Sequence, residues 1–145
     1  YDVETQIPAF FHITEASVHD SKVMIEIPYE PNSYYIFDRG YNNFKMLYKI
    51  HQIEAYFVVR AKKNLGYKSI QWKCRLPKNA LSDASVLLTG FYPKQYYPEP
   101  LRLVKYWDEE QEREFTFITN ATHISALQVA ELYKNRWQVE LLFSV

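Results

Sequence analysis

The stretch SYYIFDRGYNNFKMLYKIHQIEAYFVV, residues 33–59, decides the fold. Residues 33–37 form an aromatic and β-branched run without alternation, the pattern of a strand covered on both faces. Asp38 falls at the carboxyl end of that strand, and Gly40 permits a tight exit from it. Asn42 or Asn43 can then cap a helix in which Phe44, Leu47, Tyr48 and Ile50 recur at helical spacing. Residues 55–59 return to a strand. A strand, a crossover helix and a second strand predict neighbouring parallel strands, hence an α/β fold.

Upstream, residues 7–14 read as a strand with Pro8 near its start, where a missing N–H is tolerated, and residues 15–27 as a connection with a short helix. From about Tyr67 to Asn120 the chain changes to β-prone runs at 85–88, 101–107 and 115–119, broken by Gly90, Pro93, Pro98 and Pro100. That grammar predicts an antiparallel β insertion. Ser125 and Gln128 make a capping-box pattern, and Leu127, Val129, Leu132, Trp137, Leu141 and Leu142 surround the helix that follows on more than one side. The last helix is therefore expected to be largely buried. No internal repeat or low-complexity segment interrupts the chain.

With 48% hydrophobic and 23% charged residues, 145 residues suffice for one globular unit with a sizeable core. No run approaches the roughly 20 apolar residues of a membrane span, and the start lacks the marks of a signal peptide, so a cytoplasmic protein without a membrane partner is expected. Cys74 is the only cysteine, which leaves no internal disulfide or Cys-based zinc site and predicts a packed thiol in a reducing compartment. The absence of an initial Met and a helical pattern still running at residues 143–145 predict that both ends are cut. A net charge of zero argues against a uniformly basic surface but leaves the local distribution open.

Tyr133, Arg136 and Glu140 are spaced three and then four apart, so they share one face of the final helix. An intrahelical Arg–Glu pair beside a core tyrosine would produce the same spacing. Asp38 occupies the sheet edge where open α/β sheets bind ligands, although an Asp-x-Gly turn with a local cap would also account for it. Charge supplies a third feature. Residues 60–78 hold Arg60, Lys62, Lys63, Lys68, Lys73, Arg75 and Lys78 with no acid, interleaved with Tyr67 and Trp72. Such a stripe suits phosphate neutralisation and stacking on bases or sugars, with a solvated hairpin as the alternative. Arg60 and Lys62, nearest the strand end, are the strongest candidates.

The acids Asp108, Glu109, Glu110, Glu112 and Glu114 read as a solvated hairpin tip without chemistry. His12, His19, His51 and His123 lack zinc-ligand spacing and are expected in packing or surface roles. Trp72, Trp107 and Trp137 read as core or interface aromatics.

The Tyr-x-x-Arg-x-x-x-Glu spacing at Tyr133, Arg136 and Glu140, with Asp-x-Gly-Tyr at residues 38–41 after a strand, resembles transposases of the IS4 insertion-sequence family. The likeness covers nearly the whole chain. It implies a ribonuclease H-like fold, here incomplete with its first strands missing, with residues 1–60 and 121–145 as core and 61–120 as the β-rich insertion before the last helix. Asp38 and Glu140 would be the second Asp and the Glu of a catalytic, metal-binding carboxylate triad. The first Asp would lie upstream of Tyr1, and a family Lys two positions beyond Val145, so the chain alone is expected to be inactive. The resemblance further implies a magnesium- or manganese-dependent DNA transposase, with two ions in the complete enzyme. Its partners would be insertion-sequence ends and target DNA in a bacterial, nucleoid-associated setting, with a dimer of the full protein on DNA. Tyr133 and Arg136 would contact phosphates, a role suited to a guanidinium fork. The basic residues Arg60, Lys62, Lys63, Lys68 and Lys73 would add DNA affinity. His19 beside Asp20 resembles a recurrent family pair, and Phe115 lies near where some relatives hold a flipped base. The competing reading is a non-catalytic DNA-binding or protein-interaction module on the same fold.

Overall fold

In the computed structural model, residues 11–14, 29–37 and 43–135 are described, the first of these segments by its backbone alone. Their elements are β1 (Phe11–Thr14), β2 (Tyr34–Phe37), α1 (Phe44–Gln52), β3 (Tyr56–Arg60), β4 (Tyr67–Trp72), β5 (Ala80–Leu88), α2 (Phe91–Tyr96), β6 (Leu101–Asp108), β7 (Arg113–Thr119) and α3 (Ala126–Lys134). The strands form one seven-stranded sheet in the order β1-β2-β3-β7-β6-β5-β4. β1, β2 and β3 are parallel, and every later pairing is antiparallel. The architecture is mixed α/β, as residues 33–59 predict. The expected connection and helix at 15–27 lie outside the described residues.

The uniform burial of β2 has a simple cause. Tyr35 and Phe37 enter a core with Leu47 and Ile50 of α1, while Tyr34 and Ile36 enter a second core with Val129 and Leu132 of α3. Successive side chains of a strand point to opposite faces, and here both faces are covered, so no polar alternation survives. α1 begins where Asn43 Oδ1 accepts a hydrogen bond from the Met46 N–H at 3.2 Å, which resolves the choice between Asn42 and Asn43. It ends with Lys49 and His51 in its last turn, a favourable end for cations in the helix dipole.

β3 and β7 join the parallel and antiparallel parts of the sheet. Val58, Val59 and Arg60 pair with Thr119, Ile118 and Phe117. Beyond the ladder, Asn120 extends the join: its Oδ1 accepts from the Phe57 N–H at 2.9 Å and its Nδ2 donates to the Ala55 carbonyl at 2.8 Å. These bonds satisfy backbone groups that the end of the strand would leave open.

The structure departs from the sequence reading at several points. β4, an edge strand that the sequence reading did not mark, forms a hairpin with β5 with a register shift between Ser69 and Gln71, and Lys68 on it is exposed, a placement that discourages pairing with other chains. α2 arises where Gly90 and Pro93 predicted only a break. Cys74 is exposed, not packed. Trp72, on the edge strand, is 61% exposed and so stands outside the core. Asp108 is buried, although its neighbours at the hairpin tip are exposed. Its Oδ1 accepts from the Glu110 N–H at 3.0 Å and lies 3.8 Å from Lys134 Nζ, so it ties the tip of β6 to the end of α3. No helix among the described residues is long and apolar enough to cross a membrane.

Candidate active site and nucleic-acid interface

β2 and β3 run parallel in the register Phe37↔Val59, so both carboxyl ends reach the same edge of the sheet. From Phe37 the chain continues into Asp38, and from Val59 into Arg60. Carboxyl ends of parallel strands are where open α/β sheets place their ligand sites. A pocket of about 360 Å³ opens beside the end of β3. Arg60, Lys62 and Lys63 line it, with Tyr67 at the start of β4, Lys105 on β6 and Arg113 and Glu114 on β7. Five cations thus surround a space with one acid, although the chain as a whole is neutral.

Two of these cations are held in place by one ring. The guanidinium carbons of Arg60 and Arg113 each lie 4.8 Å from the centroid of Phe115. The ring quadrupole favours both contacts. Phe115 is itself buried and stacks on Phe117.

The whole chain, residues 1–145, matches the family described as the transposase DDE domain. The chain belongs to the DDE transposases. This transposase chain is 35% identical over 150 residues to a Sinorhizobium fredii protein named as a transposase, y4zB, an alignment covering 99% of this chain and 41% of that one. It is also 25% identical over 143 residues to a Geobacillus stearothermophilus protein named as a transposase for insertion sequence element IS5377, covering 99% of this chain and 38% of that one. It therefore spans about two fifths of the length of these curated relatives.

The carboxylate candidates Asp38 and Glu140, together with Arg136, lie outside the described residues, as do His19, Asp20 and Trp137. Tyr133 is on α3 with its ring only 3% exposed, 4.9 Å from the Phe117 ring and 5.9 Å from that of Phe115. The basic stripe read along residues 60–78 divides in space. Arg60, Lys62 and Lys63 meet at the pocket beside β3, Lys68 stands on the edge strand, and Lys73 lies by a second pocket with Asp83 and Arg102. There Lys73 Nζ is 3.6 Å from Asp83 Oδ2. Lys105 and Arg113 were not singled out in the sequence. The residues directly on either side of each are uncharged or acidic, and only the pairing of β3, β7 and β6 brings them to the stripe.

Among the described residues no group of three His, Cys, Asp or Glu could hold a metal ion. His123 is exposed at its outer edge and packed on its inner one: its Nε2 hydrogen-bonds the Tyr34 hydroxyl and its ring lies 4.7 Å from that of Tyr56. Partial desolvation of the ring by these neighbours, and then the positive charge of Arg102, lower its pKa and keep it neutral near pH 7. Burial, reinforced by Tyr56, holds the Tyr34 phenol well above its ordinary range.

Proposed function

We propose that the full protein is an IS4-type transposase with a ribonuclease H-like catalytic core, which cuts and joins DNA at insertion-sequence ends. The observation that carries this reading is the basic pocket at the carboxyl end of β3, one strand from the β2 end that leads into Asp38. Residues 1–60 and 121–145 are read as the core and 61–120 as the insertion, a division supported by the unbroken antiparallel run from β4 to β7.

Asp38 and Glu140 are assigned as catalytic carboxylates and divalent-metal ligands. Their oxygens are the hard donors that Mg²⁺ or Mn²⁺ takes. Two such ions, when bound, activate the attacking oxygen and stabilise the leaving one. The chain's own side chains bind and orient the DNA. Arg60, Lys62 and Lys63 neutralise phosphates from the pocket, and exposed Lys68 extends that attraction along the edge strand. Lys73 keeps an ammonium half exposed beside its ion pair and is assigned to the same task. Tyr133 and Arg136 are assigned to phosphate contacts through the motif they share with the IS4 family. In the first step a water oxygen attacks the phosphorus at the element end, and the bond to the 3′ oxygen breaks, freeing a 3′-hydroxyl. That hydroxyl then attacks a phosphodiester of the target, forming one bond as another breaks. A dimer of the full protein, holding two ends together, completes the reading.

The full protein, incubated with DNA carrying its element ends, should nick that DNA with Mg²⁺ or Mn²⁺ and lose all nicking in a chelator. DNA retained without nicking in either metal would favour the non-catalytic module instead.

A further inference from the structure

We propose that Lys105 and Arg113, on β6 and β7, form the far wall of a phosphate-binding pocket that grips the DNA backbone opposite Arg60, Lys62 and Lys63. The inference rests on the DNA reading above and extends it to two strands on which that reading places no contact.

Three observations converge on it. The pocket is lined by separate chain segments, each of which brings at least one cation to it: the end of β3 with the loop after it, the middle of β6 and the start of β7. Among the described residues no carboxylate stands within ion-pair distance of Lys62, Lys63, Lys105 or Arg113, although Glu114 belongs to the lining. Among the described residues some cations elsewhere are paired, as with Lys73 and Asp83, Lys134 and Asp108, and Arg102 and Asp83, but unpaired cations gather from three chain segments only at this pocket. A set of like charges left without partners in one concavity repels itself, and an anion relieves that repulsion.

The third observation is preorganisation. Phe115, on the sheet face that packs against α3, holds the guanidinium groups of both Arg60 and Arg113, so these two cations are already ordered at the rim of the pocket before an anion arrives, while Lys105 stands on the other face. Less conformational freedom is then lost on binding. A planar fork fixed in this way suits the paired oxygens of a phosphodiester. Phe115, itself buried, has the role of fixing these two arginines.

The test uses the full protein and a mixed-sequence duplex oligonucleotide, with affinity measured across a salt series. Lys105→Gln and Arg113→Gln should each weaken binding about tenfold and lower the slope of log affinity against log salt by about one. Lys105→Arg should restore both. Lys94→Gln, on α2 and away from the pocket, should change neither. If Lys62→Gln lowers the slope while Lys105→Gln and Arg113→Gln leave it intact, the far wall is refuted and the DNA reading stands. If Lys94→Gln acts as strongly as Lys105→Gln, diffuse surface charge replaces the pocket. A wild-type protein with no salt-dependent DNA affinity would overturn the DNA reading itself.

Discussion

Arg102 joins three parts of the chain through one buried guanidinium. Its Nε and Nη2 donate to Asp83 Oδ1 and Oδ2 at 2.8 and 2.7 Å, tying β6 to β5, and its Nη1 donates to the carbonyls of Ala121 at 3.0 Å and Ile124 at 2.5 Å, fixing the connection between β7 and α3. Both side chains are almost fully buried, so removing one partner strands the other without water. Asp83→Asn should therefore cost about 3–5 kcal/mol, read from the urea midpoint at constant slope. Burial raises the Asp83 pKa, but the hydrogen bonds and charge of Arg102, with help from Lys73, more than offset it and hold the carboxyl below its usual range. With a depressed folded pKa, the contribution of Asp83 to stability is present above the unfolded value of about 4 and is lost as the pH falls through the folded one. The wild type should accordingly lose more stability on acidification below about pH 4 than the Asp83→Asn variant. Equal losses in the two proteins would show that the ion pair adds nothing.

The capping box of α3 shows how a short sequence signal fixes a whole helix. Ser125 Oγ accepts from the Gln128 N–H at 3.1 Å, and Gln128 Oε1 accepts from the Ser125 N–H at 2.8 Å. Ser125→Ala should cost about 1 kcal/mol, measured by chemical denaturation, and Ser125→Asp should recover most of it. Elements with such local signals were legible in advance: β2, α1 and β3 from an unbroken apolar run, an Asn cap and a return to β-branched residues. β5 was legible only at its end, because Ser82 and Asp83 look like a turn until Arg102 arrives from β6 to neutralise the acid. α2 was not legible. Pro93 falls in its first turn, where the missing N–H costs nothing because the first N–H groups of a helix have no partner within it.

Across the whole molecule, one sheet separates two cores, and the parallel and antiparallel halves meet at β3 and β7. That junction is also where the basic pocket opens, so the fold gathers cations that are far apart in the chain to the edge from which β2 leads into Asp38. The near wall of the site was legible because Arg60, Lys62 and Lys63 are neighbours in sequence. The far wall was not, because Lys105 and Arg113 depend on strand pairing that no local pattern encodes. The carboxylates Asp38 and Glu140 stand on motif and family membership, so they are the point at which the account is most directly tested. That measurement compares wild-type, Asp38→Asn and Glu140→Gln full-length proteins for strand nicking and for retention of the same end-bearing DNA in Mg²⁺. The account predicts that both variants hold the DNA as the wild type does and that nicking falls to background in each. Undiminished nicking by either variant would contradict it.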